Sequence, residues 1–319
     1  MSQTTVKSEP VKRPTARKDM TKLQWTLKEM RKNYLGYVLL APYYIIFLTF
    51  TVLPVIMSLV VSFTDFNMLQ WPNFVFLDNY ISLFLHDEIF LIALKNTLMF
   101  AVVVGPGGYF LSLFLAWFIN ELSPKTRAVV TLIFYAPSIS GGVYTVWKTL
   151  FSSDSYGWLN AALIRMGIIS SPIAWFENPS YIMPLCMIVA LWMSLGLSFL
   201  SFIAGLQTVP KSLYEAAAVD GIRNRWQELW YITLPFMKPQ LMFGAIMSIT
   251  GSFGFGDTVS QLAGNPPVDY VGWTLTHHLG DYGSTRMEMG YASAIATVLF
   301  LIMMGANIVV QKLLAKVGQ

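Results

Sequence analysis

Long apolar runs alternate with shorter polar ones along the whole chain. Six runs have the roughly 20 apolar residues that a helix needs to cross hydrocarbon. They cover about 37–61, 92–118, 128–151, 181–206, 241–260 and 291–313. The pattern therefore predicts an all-α membrane protein with six transmembrane helices. Pro137 interrupts the third run. Gly251, Gly254 and Gly256 lower the helix propensity of the fifth, and Asp257 is expected to end it. Gly105-Pro106-Gly107-Gly108 inside the second run predicts a kink or close helix packing. The spacings Gly244/Ser248 and Gly290/Ala294 predict close helix contacts.

Composition agrees. Of 319 residues, 55% are hydrophobic and 12% charged, with mean hydropathy +0.55. An average soluble domain carries about 25% charged residues. The one cysteine, Cys186, lies in an apolar run, so no internal disulfide can form. The histidines His86, His277 and His278 lack a spaced third ligand, and no metal site is expected. No G-x-x-x-x-G-K-[ST] loop is present to cradle a nucleotide, and no catalytic constellation can be argued.

The placement of charge gives an orientation. Seventeen of the 21 Lys and Arg fall in the arm before the first run, the loops after the second and fourth, and the tail. By the positive-inside tendency both termini are expected to be cytoplasmic, and an even number of spans agrees. This basic charge points to membrane lipid rather than nucleic acid. The arm, 1–34, is expected to be unfolded over 1–20. An amphipathic surface helix is expected over 22–32, wetted by Leu23, Trp25, Leu27 and Met30. The arm has no apolar h-region and is not read as a cleaved signal peptide. A six-helix domain follows over 35–314, and then a short cytoplasmic tail, 315–319. Trp71, Trp158, Trp175 and Trp273 lie in the outward segments and read as interfacial anchors.

The most informative polar segment separates the fourth and fifth runs. It reads Leu213-Tyr214-Glu215-Ala216-Ala217-Ala218-Val219, breaks at Asp220-Gly221, and closes with Ile232-Thr233-Leu234-Pro235. Ser212 and Glu215 have the spacing of a capping box. Gly221 can turn with positive φ at no steric cost. A second amphipathic helix is predicted over about 223–232. Small alanines and an apolar face of Leu213, Tyr214 and Val219 suit a partner's groove, and Glu215 can meet a basic group there.

This string resembles the EAA loop of ABC-importer permeases. Leu39-Leu40-Ala41-Pro42, Ser62-Phe63-Thr64-Asp65-Phe66, Gly157-Trp158-Leu159-Asn160, Ala204-Gly205-Leu206-Gln207-Thr208-Val209-Pro210 and Met289-Gly290-Tyr291-Ala292-Ser293-Ala294 appear in the order of one family. The chain is similar to MalF-type sugar permeases of carbohydrate ABC importers. The resemblance implies a MetI/MalF-like type I importer fold in a bacterial cytoplasmic membrane, with a coupling loop over 207–239. Leu213, Tyr214, Glu215, Ala216, Ala217, Asp220 and Gly221 would dock on the ATPase. The implied partners are a second, MalG-like permease, two ATPase copies carrying ATP and Mg, an external solute-binding protein and an oligosaccharide. The chain itself would hold no cofactor and catalyse nothing.

The resemblance places the solute pathway along the third to fifth spans. The candidates are Tyr144 and Trp147, Trp192 and Ser194, and Phe253, Phe255 and Asp257. Each aromatic also reads as bundle packing, and Ser194 as a back-bonding helix serine. Asp257 reads equally as a pathway residue or as a helix end. The stretch Leu262-Ala263-Gly264-Asn265-Pro266-Pro267 and the glycines of the fifth run depart from maltose-type relatives, which fits a bulkier sugar. A non-sugar solute is the alternative. An ion-coupled secondary transporter would carry ionisable groups at mid-membrane, and the centres of the runs are almost free of them.

Overall fold

Proline lacks the amide that a helix interior needs, and its ring strikes the carbonyl four residues back. That constraint bears on some of the places where these apolar runs bend, Pro137 among them. The computed structural model describes residues 22–315, and they divide into two compact units between Met57 and Ser58. The expectations for residues 1–20 and for the tail from 316 lie outside the described residues.

The first unit holds α1 (Lys22–Lys32) and α2 (Tyr34–Phe47), a π-turn (Leu48–Val52), and most of α3 (Leu53–Val61). Trp25 and Met30 of α1 are exposed. From α2 to α3 the chain runs as one apolar helix, Tyr34–Val61. Pro54 would strike the Phe50 carbonyl, and Phe50 sits in the π-turn, where the wider winding absorbs the lost bond. The same device recurs at Leu229–Thr233, where the π-turn holds Tyr231, four residues before Pro235.

The second unit continues with α4 (Asp78–Leu85), α5 (Glu88–Asn120), α6 (Pro124–Ile139), α7 (Val143–Leu150), α8 (Trp158–Arg165), α9 (Pro179–Met193) and α10 (Leu197–Thr208). Then come α11 (Lys211–Val219), α12 (Arg225–Glu228), the second π-turn and α13 (Leu234–Phe236). The chain ends with α14 (Lys238–Ser252), α15 (Gly256–Ala263), α16 (Leu275–Gly280), a π-turn (Asp281–Thr285) and α17 (Met289–Ala315).

Among the described residues, four helices are long and apolar enough to cross a membrane: Tyr34–Val61, Glu88–Asn120, Pro179–Thr208 and Met289–Leu314. The number rises to six if each of two bent pairs is one span. The expected third span, 128–151, is one of these pairs. Its halves, α6 and α7, meet at 88°. Pro137 leaves the Ile133 carbonyl without its helical donor, and Gly141-Gly142 then turns the chain. The expected fifth span also differs. The chain bends by 83° between α13 and α14, at Met237 between Pro235 and Pro239. The helix then stops at Ser252, and Asp257 stands in the first turn of α15 rather than at a helix end. A carboxylate in a first helical turn is favoured by the backbone dipole.

α5 is the axis of this unit. At 1.5 Å per residue its 33 residues span about 50 Å, well beyond the roughly 30 Å of hydrocarbon. It contributes to all three apolar clusters of the core. Despite Pro106 the helix is continuous, and its glycines serve packing: a side chain at Gly105 would meet Ser252, and one at Gly108 would meet Ser194. Gly244 of α14 similarly lies under the Phe202 ring, and Ser198 donates to its carbonyl at 3.1 Å.

Two polar knots brace the segments between spans. Asp87 caps α5 by accepting from the Phe90 amide at 2.8 Å, and also accepts from His278 and Tyr291 at 2.9 Å each. Burial alone would raise this carboxyl. The Phe90 amide, the Tyr291 hydroxyl and His278 outweigh burial and hold it below the usual carboxylate range. Asn160, wholly buried, donates to the carbonyls of Ser152 and Ile173, and accepts from the Ile173 amide and the Trp175 indole. Of the four expected anchors, Trp71 and Trp158 are exposed and Trp175 is half-buried. Trp273 is instead buried, stacked on His277.

Two outcomes follow. Asn160→Ala strands several buried groups, and a loss of about 2–4 kcal/mol is expected. Cys186, the sole and fully buried thiol, reports it directly. The onset temperature for labelling by a thiol-reactive dye should fall by roughly 5–10 °C. The Asp87 contribution is fully present above the unfolded carboxyl value of about 3.9 and is lost as pH falls through the depressed folded value. Asp87→Asn should flatten that acid limb in melting scans followed by tryptophan fluorescence.

Candidate functional site

The polar loop between α10 and α14 folds as two short helices around a turn. Pro210 fixes its own φ and pushes Val209 into extended backbone, so α10 stops at Thr208 and α11 starts at Lys211. Pro210 therefore occupies the N-cap with no side-chain bond, and Ser212 lies inside the helix. The expected Ser212–Glu215 capping box is absent. A related arrangement lies at the next helix: Asn224 accepts from the Gln227 amide at 2.8 Å, and Gln227 accepts from the Arg223 amide at 3.0 Å. Between the helices Gly221 adopts φ +93°, a left-handed conformation that suits glycine. The second helix begins at Arg225 rather than 223 and runs through the π-turn to Phe236.

Burial sorts the α11 residues into two faces. Ala217 is buried, and Tyr214 packs on the cluster of Tyr109, Phe199 and Phe202. The Tyr214 hydroxyl reaches Thr233 Oγ1 at 2.9 Å and ties the two helices together. Tyr214 was expected on the partner-facing side, and it turns inward instead. Leu213, Glu215, Ala216, Asp220 and Gly221 are exposed, and Val219 is 88% exposed.

The loop is also fastened to the end of α5. Trp226 lies against Trp117 at 5.0 Å and Phe114 at 6.2 Å between ring centroids. Arg225 pairs with Glu121 at 3.0 Å and with Glu228 at 2.8 Å. A cavity of about 390 Å³ lies beneath, lined by Trp117, Glu121, Gln207, Lys211 and Tyr214 among others. None of Glu121, Arg225 and Trp226 was singled out in the sequence. The aromatic pair was hidden because Trp117 and Trp226 are 109 residues apart.

The second feature is a cavity of about 440 Å³ within the bundle. Three helix breaks border it: residues next to the α6–α7 break (Ser138), in the α9–α10 break (Ser194) and in the α14–α15 break (Phe255) all line it. Irregular backbone at membrane depth is tolerated only where it is buried in protein or lines a watered cavity. Tyr144, Ser194, Phe255 and Asp257 are thus brought together, and Asp257 is exposed. The Tyr144 hydroxyl lies 3.2 Å from Thr258 Oγ1. Ser194 donates to the Leu191 carbonyl at 2.6 Å, the expected back-bond, which leaves its oxygen as an acceptor.

Trp147, Trp192 and Phe253 are not among the lining residues. Trp147 stacks on Phe151 at 5.7 Å and meets the edge of Trp192 at 5.2 Å, while Phe253 is buried beside α17 residues. Ser138, Ser198 and Ser248 line the cavity and were missed. Ser248 was visible in the sequence only as a small residue at helical spacing from Gly244. Among the described residues no group of three or more His, Cys, Asp or Glu is placed to hold a metal.

An all-helical membrane bundle with a serine-lined cavity at its breaks and a pinned polar hairpin fits a polytopic transport subunit. The family described as "Binding-protein-dependent transport system inner membrane component" matches residues 26–318, and the chain belongs to it. The arabinooligosaccharides transport system permease protein AraP of Bacillus subtilis (strain 168) is 32% identical over 288 residues, 88% of this chain and 89% of that one. The lactose transport system permease protein LacF of Rhizobium radiobacter is 31% identical over 275 residues, 84% and 89% of the two chains. A chain in the crystal structure of a bacterial alginate ABC transporter, in complex with an alginate pentasaccharide-bound periplasmic protein, superposes with TM-score 0.72. It is 25% identical, with 92% of this chain and 99% of that chain covered.

The two fastenings of the hairpin differ in expected weight. The Arg225 and Glu121 side chains are 63% and 46% exposed, so their ion pair is worth at most about 1 kcal/mol. Tyr214 loses ring packing and a hydrogen bond on truncation. Tyr214→Ala should lower thermal stability by about 2–3 kcal/mol, and Glu121→Gln by less than about 1. Parallel melts of the two purified variants check the order.

Proposed function

We propose that this chain is one transmembrane half of an ATP-driven, binding-protein-dependent importer of an oligosaccharide. The observation that carries the reading is the hairpin. It is pinned on its inner face by Tyr214–Thr233 and Trp226–Trp117 and leaves Leu213, Glu215, Ala216 and Val219 free for a partner. Leu213, Tyr214, Glu215, Ala216, Ala217, Asp220 and Gly221 form the docking segment, with Tyr214 and Ala217 as its internal support. A separate ATPase pair, each subunit with ATP and Mg, closes and opens. The pinned loop passes that displacement to α5 and α10 rather than yielding locally. Two such halves, this chain and a second permease, rock between inward- and outward-open states in the bacterial cytoplasmic membrane.

In this reading the bent pairs are single spans, which makes six, and both termini lie on the ATPase side. The solute-binding protein delivers its load to the opposite face. The sugar crosses through the cavity at the helix breaks, where Tyr144 and Phe255 offer ring faces and Ser194 and Asp257 offer acceptors. Trp147, Trp192 and Phe253 support that wall from behind. The names of the matched arabinooligosaccharide and lactose permeases support a carbohydrate, and the alginate complex supports a binding protein that loads an oligosaccharide.

Glu215→Lys reverses the charge of an exposed side chain and leaves the core untouched. In membrane vesicles holding the full complex, it should abolish ATP-driven uptake while the protein still inserts. Uptake at the normal rate would sink the coupling assignment.

A further inference from the structure

A second cavity, of about 550 Å³, lies at the end of α14 remote from the hairpin, between α15, α16 and the π-turn after it. Its lining includes Asp257, Ser260, Trp273, Thr276, His277 and Ser284. Asp257 lines the central cavity too, so this residue borders both spaces.

The hydrogen bonds of this cavity form a directed chain. The Thr274 amide donates to His277 Nδ1 at 3.1 Å, so that nitrogen carries a lone pair. The proton is then on Nε2, which donates to Ser260 Oγ at 2.7 Å. Burial pushes His277 down to about 4, with Asp257 opposing in part, so the ring is neutral and keeps this tautomer. The Ser260 hydroxyl proton is left without an acceptor among the described residues. The Trp273 indole N–H is buried and unpartnered, and its residue is 6% exposed. A free hydroxyl proton at Ser260, an acceptor carboxylate at Asp257 and an aromatic wall at Trp273 are groups that a sugar ring can use. No Lys or Arg lines either cavity; Asp281 at the second is paired with Arg286 at 2.8 Å, whereas Asp257 has no ion-pair partner among the described residues. An acidic sugar would meet the like charge of Asp257 there.

We propose that the second cavity is a solute subsite in series with the central one, and that together they hold a neutral oligosaccharide chain across Asp257. The inference rests on the oligosaccharide reading above and narrows it to neutral sugars longer than one cavity can hold.

The test uses the complete importer in proteoliposomes with three probes: arabinobiose, arabinotetraose and an alginate tetrasaccharide. The wild type should take up the neutral sugars and not the acidic one. Ser260→Ala removes one neutral hydrogen bond, so the half-saturating concentration for arabinotetraose should rise about five-fold more than that for arabinobiose. A readout that does not depend on turnover uses Ser284→Cys, an exposed position on the same cavity; the native thiol is buried and silent. Arabinotetraose should slow its labelling by a membrane-impermeant methanethiosulfonate more than arabinobiose does. An unchanged length ratio in Ser260→Ala, labelling unaffected by arabinotetraose, or uptake of the acidic probe would overturn this proposal and leave the transport reading standing. Failure of the wild type on all three sugars would remove the oligosaccharide reading and the subsite with it.

Discussion

The packing of α5 against α9, α10 and α14 is the contact on which the rest of the second unit depends. Backbones come close there because Gly105, Gly108 and Gly244 carry no side chain at the points where Ser252, Ser194 and Phe202 approach. In lipid there is little hydrophobic force between helices, so close van der Waals contact of this kind does the holding. The same helix is long enough to emerge at both ends. One end is closed by Asp87 and its partners, and the other meets Trp226 and Arg225. The hairpin and the central cavity are therefore attached to one rod.

The cavity exists because several helices around that rod are interrupted. A break frees amides and carbonyls that hydrocarbon cannot satisfy. Gathering the breaks of α6–α7, α9–α10 and α14–α15 around one space gives them a common place for water or solute. The cavity is polar for the same reason, with serines, Tyr144 and Asp257 beside the irregular backbone. Where a proline bends the chain without a cavity, as at Pro54 and Pro235, a π-turn absorbs the missing bond within the helix.

Much of this was legible in the sequence because the strongest signals are local. Apolar length located the runs, and the Glu215-Ala216-Ala217, Asp220-Gly221 and Leu234-Pro235 string located the hairpin before any geometry was known. Local signals misled where two of them competed. Ser212 and Glu215 had capping spacing, but the fixed φ of Pro210 placed the helix start two residues earlier. Asp257 looked like a stop because glycines precede it, yet a carboxylate in a first turn starts a helix equally well. Side-chain direction was out of reach. Tyr144 and Trp147 are three residues apart on α7, and only packing against α9 and α15 sends one to the cavity and the other into the core. Trp273 read as an interfacial anchor because its burial depends on His277, a neighbour along the next helix whose ring it stacks upon.

The continuity of α5 has a mechanical meaning beside its structural one. A helix that keeps its path is stiffer than one interrupted by loop residues, even though Pro106 removes one amide from the α5 ladder. The bundle therefore combines a beam with a set of hinges. The hinges at the breaks of α6–α7, α9–α10 and α14–α15 line the central cavity, so the softest points of the molecule are also the walls of that space.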